Sequence, residues 1–343
     1  MPVKNARNPV TMKDVARLAG VSQSTVSRVL SPSASPIPIS QETTEKVLQA
    51  IEQLGYRPNL AARSLRGQKT NMIAIMIADI SNPMYHTIVR TVQAIARERE
   101  YDVLIANTDH VYENEIHFIE AMLRRPVDGV LMVPYQLTND DLSELIAQVG
   151  APLVVLAWPG YFEQVDTVFV DDERATREAV QWLIEAKGHQ RIGFIGVSRA
   201  LPPGERRRQG YQQAMAAFHL PVPAGYIREG DFTIESGQRA MRELLSLPEP
   251  PTAVFACNDR MAIGALDAAS AMHVRVPQDV ALVGFDNIPE TAIIRPRLTT
   301  IDQNAAAIGE QMARALFERI EGTASEAGRI YEIPCQLIER EST

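Results

Sequence analysis

The first regular signal along the chain is helical. Thr11-Met12-Lys13-Asp14 has the form of a capping box, in which Thr11 accepts from a first-turn amide and Asp14 reaches back. The helix that follows ends at Ala19-Gly20, where glycine permits a left-handed turn. Ser22 then caps a second helix over 23–30. Val15, Leu18, Val21, Val26, Val29 and Leu30 recur at spacings that let two short helices bury a shared face, with Ala16 small enough for close crossing. A third helix is predicted over 42–54, where Val47, Leu48, Ile51 and Leu54 repeat at helical spacing before Gly55. Three helices about one small core, the second carrying Ser, Thr, Gln and Arg, match a helix-turn-helix arrangement.

From residue 73 the pattern changes to short apolar runs, at 73–81, 102–109, 128–135 and 152–158, of the kind that form buried parallel strands. Helical-period segments separate them, around 84–100, 113–124 and 140–149. The alternation restarts with runs at 167–172, 191–196, 253–259 and 280–287. Such alternation implies right-handed crossovers and doubly wound parallel sheets, and two series of strands point to two lobes rather than one barrel. The predicted fold class is therefore α/β, with an all-α head. Open parallel sheets bind ligands beyond the carboxyl ends of their strands. The polar candidates there are the 79–83 turn, Asp109, Trp158, Asn258-Asp259 and Asp286-Asn287.

Charge sharpens the division. The 343 residues carry a formal net charge of −8, yet residues 1–70 hold ten Lys/Arg against four Asp/Glu, a balance of +6. The remainder holds 24 basic against 38 acidic residues, a balance of −14. A basic head on an acidic body points to a polyanion partner. Hydrophobic residues at 45% fit a globular chain with a sizeable core. Two cysteines, Cys257 and Cys335, supply neither a disulfide framework nor a structural zinc site. No apolar run is long enough to cross a membrane and MPVKNARNPV has no signal core, so a soluble cytoplasmic protein is expected.

The stretch VTMKDVARLAGVSQSTVSRVL, followed by ISQETTEKVLQAIEQLGYRPNLAARSLR, resembles the DNA-binding head of the lactose-repressor/galactose-repressor family, and the resemblance continues through the body. It implies that Gln23, Ser24 and Arg28 read bases. Ser22 and Thr25 suit phosphates, and Thr11 and Ser27 complete the candidate DNA-facing set. An ordinary solvated face is the bland alternative for these polar positions. The resemblance further implies a hinge helix from Tyr56-Arg57-Pro58-Asn59 through AARSL, with Asn59 and Ala62 near DNA and Leu65 as an apolar wedge in the minor groove. A helix–helix contact between two hinges is compatible with Leu65. The family usually has a short turn between its second and third helices; here SPSASPIPIS is longer and proline-rich.

For the body the resemblance implies a type I periplasmic-binding-protein fold with a head over 1–57, a hinge and linker over 58–70 and a core over 71–343. Lobe 1 would span about 71–170 plus 303–333. Lobe 2 would span about 171–300 plus the C-terminal strand, and segments 304–321 and 330–339 would be shared between lobes. Met84 and Tyr85 would line one wall of the cleft, and Arg207 would clamp an effector with Asn258, Asp286 and Gln303 as further polar contacts. A helix cap is the plain alternative for Asp286, and a solvated run for Arg206-Arg207-Arg208. Sugar-binding relatives usually carry an aspartate where Ala157 stands; Ala157-Trp158 offers stacking area without charge. That leaves room for a base, nucleoside or aromatic-like effector beside sugars and their derivatives.

Other classes fit less well. No GxGxxG after a strand, no GxxxxGK[ST] loop and no HExxH is present, and the six histidines lack ligand spacing. An enzyme, a metal site and a cofactor are not expected. A solute-binding or enzymatic α/β protein with a basic extension is the alternative. The expectation is a repressor that binds operator DNA as a homodimer, since no heptad tail follows the last strand, under control of a small-molecule effector.

Overall fold

The computed structural model describes residues 10–30, 39–56 and 69–343, apart from 161, 163, 164 and 326. The chain divides into two compact units, Met1–Thr70 and Asn71–Thr343.

In the first unit, α1 (Met12–Ala19), α2 (Gln23–Leu30) and α3 (Gln41–Leu54) surround a core of Val15, Ala16, Val26, Val47, Ala50 and Tyr56. At the start of α1 the Thr11 amide and hydroxyl both donate to Asp14 Oδ2, at 3.0 and 2.6 Å. Gly20, at φ +66°, turns the chain out of α1, and Val21 N–H returns to Ala16 O at 3.0 Å. Ser22 Oγ accepts from Thr25 N at 3.1 Å, and Ser40 caps α3 through Thr43 N at 3.3 Å. Two residues depart from the sequence pattern: Leu18 and Leu48 are 50% and 52% exposed. The buried faces centre on Met12-Val15-Ala16-Ala19 and Val47-Ala50-Ile51-Leu54. Turning about 100° per residue, each outlying leucine lies roughly 110° round its helix from that face.

The second unit contains two six-stranded sheets. The first comprises β1 (Met72–Ile77), β2 (Asp102–Asn107), β3 (Gly129–Met132), β4 (Leu153–Leu156), β5 (Asp166–Phe169) and β11 (Ile330–Glu332). Its order is β11-β5-β4-β3-β1-β2, all parallel. The second comprises β6 (Ile192–Val197), β7 (Ile227–Gly230), β8 (Ala253–Ala256), β9 (Ala281–Asp286), β10 (Thr299–Asp302) and β12 (Gln336–Ile338). Its order is β12-β10-β9-β8-β6-β7, parallel except for antiparallel β12 on β10. The chain passes between sheets after β5, after β10 and between β11 and β12.

β1 shows why the strands read as unbroken apolar runs. Ile73, Ile75 and Ile77 join the core beneath α4 (Pro83–Glu98) and α11 (Ala305–Ile320), while Ala74 and Met76 join the one beneath α5 (Tyr112–Arg124) and α6 (Asn139–Val149). Both faces are buried, so the period-two alternation disappears. In the second lobe α7 (Asp172–Glu185) pairs with α8 (Pro202–Ala217), and α9 (Ile234–Leu245) with α10 (Asp259–Ala271). The α9–α10 backbones touch: a Cβ built on Gly264 would lie 1.9 Å from Ile234 O, and one on Gly237 2.1 Å from Met261 O.

All the expected strands but 191–196 are too long at their carboxyl ends. The run over 167–172 ends at Phe169, and Asp172 instead opens α7, whose cap Asp171 accepts from Arg174 N at 2.9 Å. β7 and β10 were not anticipated: Arg228-Glu229 and Thr299-Thr300 give them little apolar signal. The 330–339 segment forms two short strands, one in each sheet. Among the described residues no helix is long and apolar enough to cross a membrane.

Candidate functional site

On the head, Ser22, Gln23 and Ser24 are exposed, as is Thr11, while Thr25, Ser27 and Arg28 are half-buried. Ser22 Oγ contacts Ser24 Oγ at 2.7 Å and Thr25 Oγ1 at 2.8 Å, so the start of α2 presents a knot of three hydroxyls. Thr11 is different, since its hydroxyl proton is committed to Asp14. Asn59, Ala62, Leu65 and the proline-rich 31–38 stretch lie outside the described residues.

In the second unit a cavity of about 110 Å³ opens between the lobes at the carboxyl ends of both sheets. Met84, Tyr85, Trp158, Arg207, Asn258, Asp286 and Gln303, read from separate parts of the sequence, all line it. Of the other polar candidates Asp79 and Asn82 also line it, whereas Asp109, Asp259 and Asn287 do not. Asp259 is buried behind the wall and accepts from Ile288 N at 2.9 Å and Thr300 Oγ1 at 2.5 Å.

The floor is an amide-held carboxylate. Asp286 Oδ2 accepts from Asn82 Nδ2 at 3.1 Å, a bond between lobes, and Oδ1 accepts from Gln303 Nε2 at 2.5 Å. Asp286 therefore caps no helix. Burial pushes its carboxyl up to about 6, against the downward pull of Arg207, Asn82 and Gln303. Its φ of +118° and the +56° of Asn287 place two non-glycine residues in a strained turn. Arg340 Nη2 donates to Asn287 Oδ1 at 2.7 Å, and Asn287 Nδ2 donates to Asp302 at 3.1 Å, which holds the turn in place.

One wall is a double arginine grip. Asp172, 1% exposed, accepts from Arg206 Nε at 2.6 Å and Nη2 at 3.2 Å, and from Arg207 Nε at 3.2 Å. Arg207 Nη1 also donates to Cys257 O, and its guanidinium stacks 3.7 Å from the Phe285 ring centre. A solvated run is thus ruled out for Arg206 and Arg207. Arg206 in turn lies 5.0 Å over Trp158, itself edge-on to Phe169 at 5.5 Å. Asn258 has both ends of its amide engaged, accepting from Met261 N at 2.9 Å and donating to Phe232 O at 3.1 Å.

The facing wall is aromatic. His110 stacks on Phe232 across the lobes (5.1 Å between centres, 25°) and meets Tyr135 edge-on at 4.6 Å. Burial lowers the His110 pKa, against the upward pull of Asp79 and Asp109. Tyr135 and Tyr85 place their hydroxyls 3.2 Å apart. The Tyr135 loop is fixed from beneath by buried Glu115, which accepts from the amides of Tyr135, Gln136 and Leu137 at 2.8, 3.1 and 2.9 Å. At the rim Arg260 Nη1 reaches across to Asp79 Oδ2 at 2.9 Å and Ser81 Oγ at 2.7 Å.

Sequence reasoning missed Asp172, Arg206, His110, Tyr135 and Phe232. Asp172 carried a usable signal, a carboxylate just past a strand. The three aromatic residues carried none, since they lie in loops that only the topology brings together.

A family model described as bacterial regulatory proteins, lacI family, matches residues 11–59, and one described as a periplasmic binding protein-like domain matches 180–343. The HTH-type transcriptional repressor CytR of Escherichia coli K12 is 37% identical over 345 residues, covering 100% of this chain and 99% of that protein. Catabolite control protein A of Priestia megaterium is 36% identical over 335 residues, covering 97% and 99%. Among solved structures, the lac repressor dimer bound to operator and the anti-inducer ONPF superposes with a TM-score of 0.85 at 28% identity, covering 98% of this chain and 99% of that one.

Proposed function

The chain belongs to the lacI family of bacterial regulatory proteins and is a DNA-binding transcriptional regulator, and from that premise we propose that it is a repressor whose operator binding is set by a small ring-bearing polar effector in the cleft between its lobes. The observation that carries the reading is the convergence of seven separately encoded residues on one cavity, with a carboxylate floor, an arginine wall and an aromatic wall. Bidentate donors, carboxylate acceptors and flat apolar faces together suit a ligand with a ring and hydroxyl or amide edges. Nucleosides, nucleobases and sugars or their derivatives meet that description. The flat faces of His110, Tyr135 and Phe232 favour a base or nucleoside.

A homodimer in the cytoplasm places two copies of α2 in successive major grooves of a near-palindromic operator. Gln23, Ser24 and Arg28 read base edges, Arg28 as a fork on guanine, while Ser22 and Thr25 meet phosphates and Ser27 completes the DNA-facing set. Thr11 belongs to the same DNA-facing set, with its amide and hydroxyl both donating to Asp14. Asn59, Ala62 and Leu65 belong to the hinge that meets the minor groove. Effector binding changes the angle between lobes and with it the spacing of the two hinges, and DNA alters effector affinity by the same factor.

The test is a thermal-shift screen of the full chain against nucleosides, nucleobases, sugars and sugar derivatives. At about 100 times its dissociation constant a true effector stabilises by roughly 2.7 kcal/mol. The hit should vanish in Arg207→Ala and should change retention on operator DNA. On the head, DNA affinity should fall by roughly 10³ or more between 50 and 200 mM salt if about six phosphates are contacted. Arg28→Ala should lose sequence preference, by about 1–3 kcal/mol at one base pair. A hit that survives Arg207→Ala, or a flat salt response, would overturn the corresponding half of the reading.

A further inference from the structure

Six charged side chains face the cleft and its rim, Asp79, Asp172 and Asp286 against Arg206, Arg207 and Arg260. Arg260 is joined to Asp79 at 2.9 Å, and Asp172 accepts from both Arg206 and Arg207. Asp286 adds a third carboxylate, held by two neutral amides and facing no cation of its own beyond the field of Arg207. Burial disfavours the charged form of the His110 ring, against the pull of Asp79 and Asp109. The formal charge of the site is therefore zero, and its cations already have partners.

We infer that the cleft selects an uncharged ligand and rejects its phosphorylated counterpart, and that Asp172 is the residue that sets this selectivity. The inference rests on the reading of the cleft as the effector site. A phosphate bound in a buried site needs charge-assisted donors, above all an arginine fork. Arg206 turns its fork onto Asp172, and Arg207 spends Nε on Asp172, Nη1 on Cys257 O and one face of its plane on Phe285. A phosphate that takes either arginine as a fork would have to displace Asp172, leaving a fully buried carboxylate without a partner, which is strongly unfavourable; at the remaining edge of a guanidinium it would gain a single donor while lying beside the Asp172 carboxylate. The alternative positions in the cleft lie beside Asp286 or Asp79, where like charge repels it. A hydroxyl or ring nitrogen meets no such conflict. It shares the carboxylate acceptors and the unengaged edge of a guanidinium without disturbing the ion pairs.

The experiment titrates the full chain with matched pairs, a ribonucleoside and its monophosphate, a hexose and its monophosphate, and with inorganic phosphate alone at constant ionic strength. The readout is tryptophan emission, which senses the cleft because Arg206 lies 5.0 Å over Trp158. The unphosphorylated member of a binding pair is expected to bind at least about tenfold tighter than its partner, and inorganic phosphate alone to leave the emission unchanged. Asp172→Asn, which frees both arginines, is expected to gain a saturable response to inorganic phosphate that Arg207→Gln then abolishes. Equal or tighter binding of the phosphorylated member overturns the inference, as does saturation of the unaltered chain by phosphate. So does a folded Asp172→Asn variant that gains no phosphate affinity. Should that variant fail to fold, the matched pairs decide alone. If no pair binds while Asp172→Asn still takes up phosphate, the neutralising role of Asp172 stands and the effector reading of the cleft is what fails.

Discussion

Replacing Asp286 with asparagine removes a charge from the floor of the cleft while keeping the side chain's size, and its effect on stability depends on pH. The carboxyl is 5% exposed, and burial raises it from an ordinary 3.8 to about 6. Arg207, Asn82 and Gln303 pull the other way without prevailing. The other ionisable groups that feel its charge are Tyr85, Tyr135 and Cys257, together with Asp259, whose carboxyl is itself raised, first by burial and then by Asp286. A group whose pKa is higher in the folded chain favours folding when protonated, so its ionisation subtracts stability as the pH rises from 3.8 to about 6. The full loss is on the order of 3 kcal/mol. Roughly half is already felt at pH 5 and the rest arrives by about pH 7. The advantage of Asp286→Asn over the unaltered chain should therefore grow by on the order of 1.5 kcal/mol between pH 5 and pH 8. Urea denaturation followed by circular dichroism at a series of pH values measures it. A constant offset between the two proteins has no bearing, because the amide bonds Asn82 differently at every pH. A difference that stays flat or shrinks as pH rises would refute the reasoning, and would mean that Arg207 fully compensates the ionised carboxylate.

Glu115→Leu leaves the amides of Tyr135, Gln136 and Leu137 without their acceptor and should cost roughly 3 kcal/mol or more in urea denaturation, with Glu115→Gln losing less; equal losses would mean that the carboxylate's bonds do not hold the loop. Arg260→Gln and Asp79→Asn should each destabilise about as much as the double variant, with a coupling on the order of 1 kcal/mol for this largely shielded pair. Simple additivity there would show that the rim contact carries no energy between lobes. Gly264→Ala forces α9 and α10 apart and should cost roughly 3 kcal/mol in thermal or chemical unfolding. Gly150→Ala, at φ +64° with open space around it, should cost only about 1 kcal/mol. A milder effect at Gly264 than at Gly150 would contradict the packing described.

The elements that were plain in the sequence are those whose signal is local. Thr11 and Asp14 sit three apart because the first turn requires it, and β1, buried on both faces, could only be apolar throughout. β7 was invisible for the opposite reason: as an edge strand it tolerates Arg228 and Glu229 in place of an apolar run. Leu18 and Leu48 show the limit of spacing rules in short helices, where one apolar residue off the buried stripe cannot be told from one on it. In the cleft, the resemblance marked Met84, Tyr85, Trp158, Arg207, Asn258, Asp286 and Gln303 as candidates, and the fold brings them to one cavity. It said nothing of what they would be bonded to. That Arg207 faces Asp172, 35 residues earlier in the chain, follows only from how α7 lies against α8.

The threefold passage of the chain between lobes has a consequence for the order in which the protein can be made. As the chain leaves the ribosome, amino end first, the three-helix head is complete after its first 56 residues and depends on nothing that follows for its core. Neither lobe has that independence. The first lacks α11, which covers β3, β4 and β5, until residue 320 has been added, and lacks its edge strand until residue 332. The second lacks β12 until residue 338. For most of its synthesis the nascent chain thus carries a finished DNA-binding head on a body whose apolar faces are still open, the state in which chains aggregate most readily. A premature stop between β6 and α11 would release the head attached to two unfinished lobes, able to fold around its own core yet joined to no completed cleft.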